Sequence, residues 1–337
     1  MRRALLQWFA VRGRALPWRT AAARADPYRV FVAEVMLQQT QVATAVPYYR
    51  RWLKRFPDLE VLAAASDDEV LLLWQGLGYY RRALNLKRAA AVALERHGGT
   101  LPSERSALEA LPGVGRYTAA AIAALAFGKP AIAVDGNVRR LAARLHAWQA
   151  LPRDAEVEAA LRTLLGPPAA GEPAPLAEAL IELGALLCTP RAPACDRCPL
   201  LGGCAAAARG TPERYPESRP RRPPPLRRRF ALVALADEQV WLMRRPPGAL
   251  LGGLWGFPQL AAPPVPGRCL QAVRHAYSHF RLELVPVVVA CDHPALDATG
   301  AQARPLASLS QLALSGVDRR VLEVLRQQGL VPETALS

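Results

Sequence analysis

Apolar residues recur three and four positions apart through the first two-thirds of the chain, most clearly over 28–39, 67–75, 82–96, 117–126, 137–147 and 176–187. That spacing lays them along one side of a helix and predicts an all-α region from residue 1 to about 210. From 211 to 229 the run TPERYPESRPRRPPPLRRR carries no apolar period and too many prolines for a helix. It reads as a basic linker that can lie along a phosphate backbone. Beyond it, 230–235 and 240–243 have the character of paired strands, 282–291 of another, and 318–327 returns to helical spacing. An α+β second domain over 230–337 is therefore expected, and 337 residues suffice for each domain to bury a core of its own.

The longest uncharged apolar run, 117–127, is shorter than the roughly 18 residues a membrane helix needs, so no membrane partner is expected. The opening MRRALLQWF resembles the charged head of a signal peptide, but Arg12 and Arg14 interrupt it before an apolar segment forms. A cytoplasmic, nucleoid-associated location follows as the expectation. Lys and Arg number 43 against 28 Asp and Glu, a formal charge of +15. Such an excess points to a polyanionic partner, nucleic acid first.

Four of the six cysteines, Cys188, Cys195, Cys198 and Cys204, form a C-x6-C-x2-C-x5-C run directly after a helix. In a reducing compartment four thiols so spaced suit a metal site better than disulfides, and by charge zinc and a 4Fe-4S cluster fit equally well. Upstream, LPGVGRYT at 111–118 has two glycines before a helix. There the backbone can approach a phosphate, and unpaired amide hydrogens can meet it without reading base sequence. Asp135 precedes the helix at 137–147 and reads as its N-cap. Glu34 lies among Phe31, Val32, Ala33, Val35, Met36 and Leu37, so its carboxyl should be desolvated and its pKa raised toward that of a neutral-pH general acid.

Taken together these motifs resemble the endonuclease III and adenine DNA glycosylase superfamily. The resemblance is closest at EVMLQQTQV (34–42), at 111–140 and in the cysteine loop. It implies an all-α helix-hairpin-helix glycosylase region over 1–210 with a 4Fe-4S cluster on the 188–204 loop, and DNA contacts at Gly113, Gly115, Arg191 and Arg197. It makes Glu34 the acid that protonates the base, Asp135 the anion that steadies an oxocarbenium-like sugar, and Asn137 a support for the site. Gln39, Leu77 and Tyr79 are implied to wedge into the duplex where adenine is flipped out. Bifunctional members carry a lysine nucleophile two residues after the second hairpin glycine. Tyr117 stands there in this chain, which implies hydrolysis by water and no strong strand cutting.

LGGLWGFP at 251–258 resembles the opening of the nudix-like C-terminal domain of the same family. The stretch 258–271 contains no acidic residue, so the magnesium-holding box of a nudix hydrolase is missing and recognition rather than hydrolysis is implied. HAYSHF at 275–280 resembles the family's loop that probes 8-oxoguanine, with Tyr277 in place of phenylalanine beside Ser278 and His279. The implied activity is hydrolysis of the N-glycosidic bond of adenine opposite 8-oxoguanine or guanine in double-stranded DNA. Two alternatives are an endonuclease III-like glycosylase/lyase, opposed by Tyr117 and the second domain, and a non-catalytic damage-binding protein, which would need neither Glu34 nor Asp135.

Overall fold

The computed structural model describes residues 1–217 and 223–332. The chain divides into two compact units, Met1–Ala63 with Asn85–Pro220 and Ala64–Leu84 with Arg221–Ser337. Residues 218–222, inside the expected linker, lie outside the described residues.

The first unit is helical, and the helices that the apolar period predicts are found with ends shifted by one to three residues. In the helix Pro27–Leu37 proline occupies the first turn and the Asp26 carboxylate accepts the Tyr28 N–H at 3.0 Å. Every residue from Val30 to Met36 is buried, so after the exposed Arg29 this helix has no wet side. Gly136–Leu145 is amphipathic instead. Its Val138, Leu141, Ala142 and Leu145 join Val157, Leu161, Leu180 and Leu183 in one apolar core. Pro173–Leu186 packs closely on it, because Gly184 lets the two backbones approach. Among the described residues no helix is long and apolar enough to cross a membrane.

The second unit is built on two sheets. Leu226–Val233 runs parallel to Arg281–Val288, which also pairs with Val273–Ala276 and Arg268–Cys269, while Gln259–Leu260 closes the other edge. Alternation gives this sheet two buried faces. Ala231, Val233, Leu282 and Leu284 point to one apolar cluster, and Leu232, Ala234, Val285 and Val287 to another. The second sheet centres on Gln239–Arg244, flanked by Leu235–Ala236, Trp255–Gly256 and Gln302–Pro305.

Two expectations from the sequence are corrected. Residues 226–229 are strand rather than linker, because LRRR contains no proline and can enter the ladder at every N–H. The strands at 230–235 and 240–243 meet only at their ends, Leu235 opposite Val240. The first of them leaves after Val233 for the other sheet.

Helix Asp67–Trp74 and its following turn pack within the second unit. Gln75 Oε1 accepts the Leu314 N–H at 3.0 Å, and Arg244 pairs with Asp68 at 2.7 Å. In the same unit Asp318, fully buried, accepts the Phe257 N–H at 3.1 Å and pairs with Arg245 at 3.0 Å.

Alanine ordinarily stabilises a helix interior relative to glycine. At Gly184 the sign should reverse, since a Cβ would lie 2.8 Å from Asn137 Cβ and 3.0 Å from its carbonyl carbon. Gly184→Ala is expected to lose about 1–3 kcal/mol in urea unfolding, and an unchanged midpoint would show that the two helices can part without strain.

Candidate active site and cysteine loop

The Glu34 carboxyl is 4% exposed, and its Oε2 has no hydrogen-bond partner among the described residues. Burial raises its pKa to about 7. The Tyr117 hydroxyl bonds to it and opposes the rise, the charges of Glu178 and Asp135 add to it, and Arg19 opposes it. Tyr117 enters from the first turn of Arg116–Leu125, and burial holds its phenol far above the ordinary range, with the charges of Glu34 and Asp135 contributing. The Gln38 amide donates to Thr118 Oγ1 at 3.0 Å and ties the two helices together.

Asp135 is the N-cap its place before the helix implies, accepting the Val138 N–H at 2.7 Å. The same carboxylate accepts from Asn137 Nδ2 at 2.8 Å. Burial raises its pKa, and these two hydrogen bonds pull the other way by favouring the ionised form. Capping and service to the site are thus one geometry.

From Asn137 a polar ladder runs along the helix at positions 137, 140 and 144, three and four residues apart and so on one face. Arg140 donates to Asn137 Oδ1 at 2.9 Å, to the Gly184 carbonyl at 2.7 Å and to the Cys188 carbonyl at 2.8 Å. Arg144, only 2% exposed, donates to Cys188 Sγ at 3.3 Å and to the carbonyls of Thr189, Pro190 and Tyr215. This arginine shapes the cysteine loop from inside.

Cys188, Cys195, Cys198 and Cys204 are free thiols lining a single cavity with Leu141, Arg144 and Leu187. They surround a space rather than a point, for among the described residues no three His, Cys, Asp or Glu side chains are placed to hold one ion. Burial pushes the Cys198 thiol up to about 11, and the neighbouring cysteines add to the rise. Four thiolates gathered here would repel one another unless positive charge lay among them. Arg191 and Arg197 are exposed on this loop.

In the hairpin Val114 N–H reaches the Leu111 carbonyl at 3.1 Å. Gly113 is required twice over, by φ +77° and by Asn85, whose Cβ would stand 2.7 Å from an added one. Gly115 meets nothing within 4 Å and leaves the amide end of the following helix open. Gln39 and Tyr79, both non-glycine, hold positive φ of 56° and 49°, an uncommon conformation that concentrates at working surfaces. Both are exposed, whereas Leu77 is buried. In the second unit Tyr277 is half-buried, its ring 4.8 Å from that of Phe280, while Ser278 and His279 are exposed. The Ser278 hydroxyl shares a hydrogen bond with that of Tyr79.

Several neighbours of Glu34 escaped sequence reasoning. Glu182, with no exposed side-chain area, takes Arg14 Nε at 2.7 Å and Arg19 Nη2 at 2.9 Å. Burial alone would raise its pKa, but the two guanidinium groups prevail and hold it at about 2. Glu178, one turn earlier, pairs with Arg19 and Arg24. The signal available was two glutamates four apart in the otherwise apolar PAPLAEALIELGAL. Their arginine partners, more than 150 residues away, gave none.

Residues 32–167 match the HhH-GPD superfamily of base excision DNA repair proteins, and 229–324 match a NUDIX domain. The chain is 38% identical to the adenine DNA glycosylase of Mus musculus over 314 residues, 77% of this chain and 60% of that protein. It is 40% identical to the adenine DNA glycosylase of Mycolicibacterium smegmatis over 200 residues, 58% of this chain and 66% of that one. A solved thermostable thymine-DNA glycosylase superposes with a TM-score of 0.56 at 29% identity, covering 61% of this chain and 94% of that chain. The Mus musculus and Mycolicibacterium smegmatis relatives, at 38% and 40% identity, are both adenine DNA glycosylases. The chain spans 60% and 61% of the length of its mouse and rat relatives.

A carboxyl whose folded pKa lies above its unfolded value favours folding only while protonated, and that contribution is lost as pH rises from about 4.5 through about 7. Glu34→Gln should therefore raise unfolding stability at pH 7.5 by roughly 1–3 kcal/mol and by much less at pH 5. A gain independent of pH would show that Glu34 is not the buried acid described.

Proposed function

We propose that the chain is a monofunctional adenine DNA glycosylase that releases adenine lying opposite 8-oxoguanine or guanine in double-stranded DNA. One observation carries the reading: a carboxyl with pKa near 7, half of it without a partner, beside Tyr117 and Asp135 in a base excision repair fold. Glu34 gives its proton to a ring nitrogen of the flipped adenine, the bond from sugar to base breaks with its electron pair leaving on the base, and positive charge develops on the sugar. The Asp135 carboxylate, held by Val138 and Asn137, steadies that charge until water adds to the sugar carbon and releases a proton. Tyr117 offers a phenol rather than an amine where a lyase has lysine, so no Schiff base can form.

Gly113, Gly115, Arg191 and Arg197 are suited to phosphates, and Gln39, Leu77 and Tyr79 to opening the duplex. Tyr277, Ser278 and His279 supply a ring and two hydrogen-bonding tips for the oxidised guanine. A 4Fe-4S cluster held by Cys188, Cys195, Cys198 and Cys204 would cross-link the loop and provide the positive charge that its four thiolates need. The cavity they line together and the guanidinium of Arg144 beside Cys188 fit that group.

The decisive assay uses duplexes with adenine opposite 8-oxoguanine, guanine or thymine. Strand breaks should follow only after alkali, fastest for 8-oxoguanine, with the rate falling as pH rises above about 7. Glu34→Gln should keep DNA binding and lose base release by roughly a hundredfold or more; near-normal turnover would remove Glu34 from its role. Cys198→Ser should lose bound iron and sulfide together, and a colourless wild-type protein holding only zinc would defeat the cluster assignment.

A further inference from the structure

The second unit contains a cavity of about 150 Å³ that the excision chemistry does not account for and whose wall, of the 277–279 loop, includes Tyr277 alone. Its origin lies in strand alternation. On Leu226–Val233 one face carries Val233 and Ala231 into the apolar core, and the next two positions on that same face are Arg229 and Arg227. Where the pattern calls for apolar side chains, the chain places two cations. Gln259, directly opposite Ala231 across the antiparallel pair, shares the face.

Arg228, on the other face, has a carboxylate partner in Glu283 at 3.3 Å. Among the described residues Arg227 and Arg229 have none, and no acidic side chain lines the cavity. The third guanidinium in its wall, Arg245, is already neutralised by the buried Asp318. Arg227 is stacked on the Phe280 ring, 4.4 Å from its centroid, which fixes the guanidinium plane. Leu250, Leu251 and Tyr277 make the remaining wall apolar.

Two guanidinium groups without a carboxylate partner, that of Arg227 stacked on a ring, beside an amide and an aromatic edge suit a phosphate attached to something partly apolar. We propose that this cavity is a phosphate site for a nucleotide, either a free one or a phosphodiester of the bound DNA. The assignment stands apart from the adenine chemistry, which resides in the other unit and is read by base release in the same preparations.

The test uses the full chain and three variants: Arg227→Gln with Arg229→Gln, Arg228→Gln as the control on the opposite face, and Leu250→Trp. Leu250 is 57% exposed, so the added ring can fill the mouth without changing charge. Equilibrium dialysis with deoxyguanosine 5′-monophosphate gives one arm, and duplex affinity across a salt series gives the other. If the site takes free nucleotide, the double variant and Leu250→Trp should each bind it at least roughly tenfold more weakly, with Arg228→Gln nearly unchanged. If it takes a DNA phosphate, dialysis should show no binding, and the same two variants should lower the salt slope by about one relative to Arg228→Gln. Should the double variant fail to fold, Leu250→Trp decides alone. Losses in neither arm, or equal losses with Arg228→Gln, would overturn the site in favour of diffuse surface charge.

Discussion

Glu34 sits in a stretch of helix with no wet side, and a carboxyl in such a place must either keep its proton or be met by opposite charge. The surrounding unit makes that choice for three acids at once. Arg14 and Arg19 enclose Glu182 and hold it ionised, while Arg19 and Arg24 are divided over Glu178. Glu34 receives only the distant pull of Arg19 and the bond of an uncharged phenol. Two buried carboxyls of one unit thus have pKa values near 2 and near 7, the first kept ionised and the second holding its proton up to neutral pH. The folded chain carries the burial of Glu34 as a stability penalty at neutral pH, which is a common trade at working sites.

Asp135 and the cysteine loop are connected by one helix. Its apolar side builds the core, and its polar side passes from Asn137 through Arg140 to Arg144. Arg144 satisfies three loop carbonyls, groups that a loop without regular structure would otherwise leave unpaired. Order in the cysteine loop and the position of Asp135 therefore rest on the same ten residues.

Much of this was legible before any coordinates. The helical period located several long helices of the first unit, though not Val42–Arg55 or Asp154–Leu165, and the apolar run around Glu34 foretold its burial. Asp135 was legible as a cap, and its second use follows from the same placement. What the sequence hid was long-range. No local pattern says that Arg14, Arg19 and Arg24 meet glutamates of the helix at 173–186, or that the strand at 226–233 would leave its neighbour in sequence for a parallel partner near 285. Proline content also misled: the linker reading ran on through 226–229, where the prolines had already stopped.

The placement of residues 64–84 changes what the word domain means for this chain. The polypeptide passes from one unit to the other at 63–64, returns at 84–85, and leaves again at 220–221. A protease that cut the proline-rich segment would release no fragment containing the whole second unit, since one of its helices would remain an internal loop of the first. Neither part is a cassette that recombination could lift out in a single piece. Val70, Leu71 and Trp74, fully buried, lie on the helix that the second unit takes from the first part of the sequence, so the path of the chain itself ties the two halves together.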